Sequence, residues 1–157
     1  MGFLRLVAII GVVVAMTPVA HANPAPNGTV LTCQFEKRSD TAVIPAEVTL
    51  GIAGYDKVAV REIGAYRPDG ATVFGRLTSN NDRMLAARWI ILDAENRFGQ
   101  SIGRLEFHLR FRRDKKTVDL SSQKISSSGT IFGAQTETGR GTCREGKDAA
   151  FWRSVGE

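Results

Sequence analysis

The chain has 157 residues, of which 43% are hydrophobic, and a formal net charge of +5. This length is enough for one domain with a single core and excludes a large multidomain protein. The excess of basic over acidic residues is compatible with anionic partners such as glycans, lipid headgroups or acidic proteins. It is equally compatible with a charge that only maintains solubility.

Residues 1–22 have the pattern of a secretory signal peptide. Arg5 gives a positively charged start, residues 6–16 form an uncharged apolar run, and Ala20-His21-Ala22 matches the small-x-small cleavage pattern. The run is shorter than the ~20 residues of a membrane-spanning helix. We therefore expect cleavage after Ala22 and an exported mature chain, periplasmic or secreted, that does not span the membrane.

The remaining chain is expected to form one folded unit. Residues 23–28 are a flexible, proline-punctuated lead, residues 29–146 a β-rich domain, and residues 147–157 a C-terminal tail.

Cys33 and Cys143 lie near the two ends of this domain. An even number of cysteines in an exported chain predicts a disulfide, which here would join the first strand to the last. The absence of a CxxC motif disfavours thiol exchange, and the single histidine after residue 22, His108, disfavours a zinc site. We expect no metal and no cofactor.

Apolar and polar residues alternate along several segments, as they do in strands with one face in a core. In the clearest segment, residues 103–113, Leu105, Phe107, Leu109 and Phe111 alternate with charged residues. The other predicted strands are residues 29–37, 46–52, 57–63, 71–78, 83–94, 117–125 and 130–143. Residues 149–152 either dock as a short helix or stay extended.

Residues 83–94 are the ambiguous segment. Asp82 can cap a helix, and residues 84–87 have good helix propensity. Residues 89–92 are Trp-Ile-Ile-Leu and favour a strand, whereas residues 93–96 have the composition of a hairpin turn. We interpret the segment as a strand that ends at this turn.

The polar turn at residues 113–116 predicts a hairpin with a derivable register. Pairing Arg112 with Thr117 places Leu109 opposite Leu120 on the inner face and Arg110 opposite Asp119 on the outer face. A slip by one residue would move arginines into the core.

About seven to nine short strands predict an all-β single domain, an antiparallel β-barrel or β-sandwich closed by one disulfide. Linking the first strand to the last fits a barrel better than an open sheet. The layout of signal peptide, single domain, terminal cysteines and antiparallel strands is similar to that of small lipocalin-like envelope proteins and periplasmic lysozyme inhibitors. The Gly-x-Trp motif of lipocalins is absent, so the resemblance implies architecture only.

The candidate ligand-binding residues are basic residues along the central hairpin. Arg104, Arg110, Arg112 and Arg113, with Lys115 and Lys116 beside them, can bind sulfate, phosphate or carboxylate groups through guanidinium contacts. Arg61, Arg67, Arg76 and Arg88 extend this set. Nucleic acid is not expected, because the chain is exported and lacks aromatic residues clustered beside the arginines. A basic strand face that only prevents sheet association is the alternative.

Seven aromatic residues either line a ligand cavity or fill a solid core. They are Phe35, Phe74, Trp89, Phe98, Phe107, Phe111 and Phe132. The sequence does not separate a hollow barrel from a filled one.

One group of polar residues has the composition of a hydrolytic site. The derived hairpin brings His108, Ser121 and Asp119 together, although no nucleophile elbow or oxyanion loop accompanies them.

Taken together, these patterns lead us to expect a non-catalytic exported binding protein of the cell envelope, a β-barrel that holds a small amphipathic or anionic ligand. The alternative is a protein–protein module, such as an inhibitor of an envelope enzyme.

Overall fold

The computed structural model describes residues 28–38, 43–52, 54, 56–63, 72–95, 100–126 and 136–155. These ranges contain eight strands and one short helix. The elements are β1 (Thr29–Arg38), β2 (Glu47–Ile52), β3 (Lys57–Ile63), β4 (Thr72–Asn80), β5 (Met84–Glu95), β6 (Ser101–Arg112), β7 (Thr117–Ile125), β8 (Glu137–Lys147) and α1 (Ala149–Val155). Within them, no helix is long and apolar enough to cross a membrane.

The strands form a closed antiparallel barrel in which each strand pairs with its neighbours in sequence and β8 pairs with β1. The prediction of a disulfide-closed all-β domain is therefore confirmed, and of its two forms the barrel is the one observed. Residues 23–27, which belong to the predicted lead, and residues 130–135, which begin the last predicted strand, lie outside the described residues.

The interior is built by the inward-facing side of each strand. The predicted hairpin register is confirmed, with Arg112 opposite Thr117, Leu109 opposite Leu120 and Arg110 opposite Asp119. The largest fully buried side chains are Trp89, Phe107, Phe111, Leu31, Ile44, Leu50, Leu85, Leu109, Leu120, Val48, Val58 and Val60. Successive residues of a strand point to opposite faces, so the residues between these buried positions lie on the outside of the barrel.

The ambiguous segment is a strand, so the helical alternative is wrong. The predicted turn at residues 93–96 is also wrong in position, because β5 continues to Glu95. Ala94 is fully buried and pairs with Gly103, after a register shift beyond Ile91. Gly103 has a φ of 87°, which glycine adopts without steric cost. The bulge and this glycine let β5 and β6 remain paired where composition suggested a turn.

The disulfide closes the wall between β1 and β8. Cys33 and Cys143 are directly opposite each other in the ladder, are both buried, and form the predicted bond. A disulfide of this kind is typical of an oxidising compartment.

The two ends of the barrel differ in the length of their connections. At one end, which also holds Gly28 and α1, few residues separate consecutive strands in the sequence: Ile52 from Lys57, Asn80 from Met84, and Arg112 from Thr117. At the other end, which we call the long-connection end, more residues separate them: Arg38 from Glu47, Ile63 from Thr72, Glu95 from Ser101, and Ile125 from Glu137.

Helix α1 packs against the outside of the barrel, so of the two alternatives for residues 149–152 the helix is confirmed. Asp148 Oδ1 accepts hydrogen bonds from the backbone N–H groups of Ala150 and Phe151, at 2.9 and 3.0 Å, and caps the helix. Phe151 and Trp152 are buried against Val30 and Ala59 on the outer face of β1 and β3.

Further contacts hold the helix in place. Trp152 Nε1 donates to the Gly28 carbonyl at 3.0 Å, and the Arg61 guanidinium lies 5.5 Å from the centre of the Phe151 ring. Gly51 lies directly beneath, where a Cβ atom would overlap the Phe151 ring and lie 2.7 Å from Trp152. The close approach of α1 therefore requires glycine at position 51.

We expect removal of the disulfide to destabilise the domain by about 2–5 kcal/mol, because the bond closes a loop with a sequence separation of 110. The measurement is the free energy of unfolding in urea for the C33A/C143A variant. As a control, a reducing agent should lower the stability of the parent protein and leave the variant unchanged. Equal stability of the two proteins would contradict the expectation.

We expect Gly51→Ala to destabilise the protein by about 1–3 kcal/mol, because the added methyl group overpacks the seat of α1. Gly146→Ala is the matched control, since a Cβ atom there meets nothing within 4 Å. Urea unfolding of both variants checks this. Equal effects would show that α1 does not pack as described.

Candidate functional site

The ladder between β4 and β5 runs from Asn80 opposite Leu85 to Arg76 opposite Arg88, with a bulge between Leu77 and Ser79 that bends β4. Beyond this last pair, Gly75 still lies against the Arg88 carbonyl and Trp89. We call the outer surface over residues 72–76 of β4 and residues 88–92 of β5 the notch.

A surface groove of about 880 Å³ lies at the notch. Its lining includes Phe74 and Arg76 from β4, Arg88 and Ile90 from β5, and Lys57 from β3. The groove thus combines apolar and cationic side chains on the outer face of the barrel.

The apolar side of the groove is exposed. Phe74, Ile90 and Leu92 have exposed fractions of 68%, 38% and 55%, and they are the large hydrophobic residues that the described part of the chain leaves exposed. Phe74 lies opposite Ala59 on β3, so it continues the outer apolar patch that α1 covers. One part of this apolar surface is covered by the chain's own helix, and the part at the notch is not.

The cationic side is a row across three neighbouring strands. Lys57 is directly opposite Arg76, which is directly opposite Arg88, and all three side chains are exposed on the outer face. Like charges in directly opposed positions are destabilising. We call these three residues the cation row; a bound anion would relieve their mutual repulsion.

Glu106 partly balances the row from β6. Its carboxylate lies 3.8 Å from Arg88 Nη1 and 3.3 Å from His108 Nε2, and it accepts a 3.1 Å hydrogen bond from Gln123. Asp56 also lines the groove. Glu106 and Asp56 together supply two negative charges, which do not neutralise the three cations of the row.

Of the four predicted ligand-binding arginines, Arg113 is bound by other groups of the protein. Its guanidinium forms a two-point contact with Glu145 Oε1, at 2.9 Å from Nε and 2.8 Å from Nη2. It also donates to Asn80 Oδ1 at 3.0 Å and to the Asn81 carbonyl. These contacts tie the β4–β5 and β6–β7 turns to β8.

The other three arginines lie on the outer face of β6. Arg112 Nη2 lies 2.6 Å from Asp119, which also contacts Arg140 at 3.2 Å. Arg110 is directly opposite Asp119, as predicted, and is exposed beside them. Arg104 is half-buried opposite Ile125 near the long-connection end. Ligand binding by this set stays a prediction, but two of its members already hold carboxylates of the protein.

Of the predicted hydrolase arrangement, His108 and Ser121 are neighbours, but Asp119 contacts other residues. His108 is directly opposite Ser121. The carboxylate beside His108 belongs to Glu106, whereas Asp119 contacts Arg112 and Arg140. These contacts do not form the nucleophile, base and carboxylate chain of an activated serine.

The barrel interior is occupied around Trp89. Its ring stacks on Phe107 with centres 5.3 Å apart, and its Nε1 donates to Glu62 Oε1 at 2.5 Å. Glu62 and Ser122 are buried polar residues of the interior, and Ser122 Oγ has no hydrogen-bond partner. Phe35 and Phe111 are also inside.

Phe74, one of the aromatic residues predicted to line or fill the interior, lies on the outer face of the barrel. Phe98, Phe132 and Arg67 lie outside the described residues. The alternation of Val73, Gly75 and Leu77 was the available signal, because it leaves Phe74 and Arg76 on the opposite face. The pairing of Arg76 with Arg88 had no sequence signal.

Comparison of the chain with protein-family models, with curated proteins and with solved structures found no match.

We expect Arg113→Gln to lower the free energy of unfolding by about 1–3 kcal/mol, because it leaves the half-buried Glu145 without its charged partner. Arg110→Gln, three residues earlier on β6, is the control, and its effect should stay within about 0.5 kcal/mol. Urea unfolding compares the two. If both variants were as stable as the parent, Arg113 would be free to bind a ligand.

Proposed function

We propose that this protein is an exported, non-catalytic binding protein of the cell envelope that holds a small amphipathic anion in the groove at the notch. The observation that carries the proposal is the cation row beside exposed Phe74 and Ile90 in one groove. Export is supported by the signal-peptide pattern of residues 1–22 and by the Cys33–Cys143 disulfide.

The charged part of the ligand is bound by the cation row. Arg76 and Arg88 project from neighbouring strands, whose spacing is about 4.8 Å, so both guanidinium groups can reach one oxyanion. Guanidinium–oxyanion hydrogen bonds are among the stronger polar contacts in proteins. Binding an anion also removes the repulsion between two directly opposed arginines.

The apolar part of the ligand covers Phe74 and Ile90. Burial of apolar surface contributes about 25 cal/mol per Å² and favours a ligand with a hydrocarbon portion next to its charge. The groove volume of about 880 Å³ lies within the range of small-molecule sites. The wall of the barrel is favoured over its interior because Trp89 and Phe107 already occupy the interior behind the groove.

The alternative function, a protein–protein module such as an inhibitor of an envelope enzyme, is supported by a different feature. Arg110, Arg112 and Arg140 are exposed near one another on the outer face of β6 and β8, on either side of Asp119 in β7. A basic surface on a disulfide-closed barrel can meet an acidic surface of a partner protein.

The proposal is tested by isothermal titration calorimetry of the mature protein with dodecanoate below its critical micelle concentration. We expect saturable binding that weakens about tenfold in Arg88→Gln and in Arg76→Gln, because each variant removes one charge-assisted contact. Arg144→Gln, which removes an exposed arginine of β8 outside the groove, should bind as the parent does.

Dodecyltrimethylammonium, with the same chain and the opposite charge, is the control ligand. Equal binding of the two amphiphiles, or equal affinity of all three variants, would contradict a site built on the cation row.

A further inference from the structure

We infer that the protein docks through the notch on the surface of an anionic lipid bilayer, where its amphipathic ligand is a bilayer lipid. This inference rests on the proposed function, because a lipid with a negative headgroup is such an amphipathic anion. Three observations carry it: the exposed apolar side chains gathered at the notch, the extension of this apolar surface beyond the groove, and the cations on one side of it.

The apolar side chains come from two strands in close contact. Phe74 and Ile90 are the next outer positions after Arg76 and Arg88, the last pair of the β4–β5 ladder. Between them on β4 is Gly75, where a Cβ atom would come within 2.5 Å of the Arg88 carbonyl oxygen. The wall is therefore continuous at this point, and Phe74 and Ile90 line one groove on its outer face.

The apolar surface extends beyond the groove. Leu92 follows Ile90 by two residues on β5 and is exposed, but it is not among the described residues that line the groove. Phe74, Ile90 and Leu92 are the large hydrophobic residues that the described ranges leave exposed. An exposed apolar patch rimmed by polar residues marks a site of contact with a protein or a membrane. A ligand confined to the groove leaves Leu92 in water, whereas a bilayer covers all three side chains.

The cations lie on one side of this patch. The cation row lines the same groove as Phe74 and Ile90, and the groove keeps a net positive charge although Asp56 and Glu106 also line it. Near an anionic bilayer, each lysine or arginine strengthens binding about fivefold. Such side chains keep their charge among the headgroups, while neighbouring apolar side chains enter the boundary of the hydrocarbon. The notch therefore matches both parts of an anionic bilayer surface.

A second copy of the chain fits the notch less well. In a two-fold symmetric pair the same surface meets itself, so both cation rows are buried in one interface. In each copy Asp56 and Glu106 supply two negative charges against the three positive charges of the row, and the remaining positive charges repel each other. A bilayer that contains anionic lipids supplies negative charge in excess.

The experiment measures sedimentation of the mature protein with sucrose-loaded vesicles of equal parts of phosphatidylcholine and phosphatidylglycerol, in a low-salt buffer. We expect binding to these vesicles and about tenfold weaker binding to vesicles of phosphatidylcholine alone. Arg76→Gln and Arg88→Gln should each weaken binding about fivefold. Arg144→Gln removes the same charge from β8, outside the notch, and should bind as the parent does.

Two further variants test the apolar contact. Leu92→Ser should weaken vesicle binding about fivefold, because it removes apolar surface that the bilayer covers. Phe74→Trp should be quenched by brominated lipid acyl chains more strongly than the parent, because Trp89 and Trp152 of the parent are buried. Unchanged vesicle binding by Leu92→Ser, or equal quenching of Phe74→Trp and the parent, would overturn the inference.

The remaining outcomes also decide the matter. If the neutral and the anionic vesicles bind equally, or if Arg144→Gln weakens binding as much as Arg88→Gln, docking through the notch is overturned. If no vesicle binds but dodecanoate binds more weakly to Arg88→Gln than to the parent, the ligand is a dispersed amphiphile and only this inference fails. Without vesicle binding, a dimer in sedimentation equilibrium that Phe74→Ser abolishes would assign the notch to a second copy. If neither vesicles nor dodecanoate bind, the proposed function fails as well.

Discussion

Closure of the sheet between β1 and β8 is the constraint on which the rest of the structure depends. Cys33 and Cys143 face each other across this ladder and make the closure covalent. A closed sheet of eight strands requires a consistent tilt and stagger, and its interior is just wide enough to be filled by side chains. Once the sheet is closed, every residue is assigned to an inner or an outer face.

Closure does not require every ladder to be complete. The β5–β6 and β6–β7 ladders run along most of their strands, whereas the β4–β5 ladder stops at Arg76 and Arg88. The groove at the notch lies on the outer face where the β4–β5 ladder ends. Helix α1 covers the outer apolar residues Val30 of β1 and Ala59 of β3. Phe74 on the neighbouring strand β4 stays exposed.

The arginines of the central hairpin show that a correct strand assignment does not determine the contacts of each side chain. The alternation in β6 identified Arg110 and Arg112 as outer residues, and both are outside. Arg112 and Arg113, however, are held by Asp119 and Glu145. The carboxylate of Asp119 comes from the partner strand of the hairpin and that of Glu145 from β8, so only the first was visible from local pairing.

The presence of most strands, the two faces of the central hairpin and the disulfide partners can be predicted from the sequence, because each follows from local alternation or from a count of two cysteines. Barrel closure, the continuation of β5 past a turn-like sequence, and the row formed by Lys57, Arg76 and Arg88 are visible only in the folded chain. The physical reason is that the pairing of the first strand with the last depends on closure, and that the register of β4 with β5 and of β5 with β6 depends on bulges. Neither is encoded in the periodicity of any single strand.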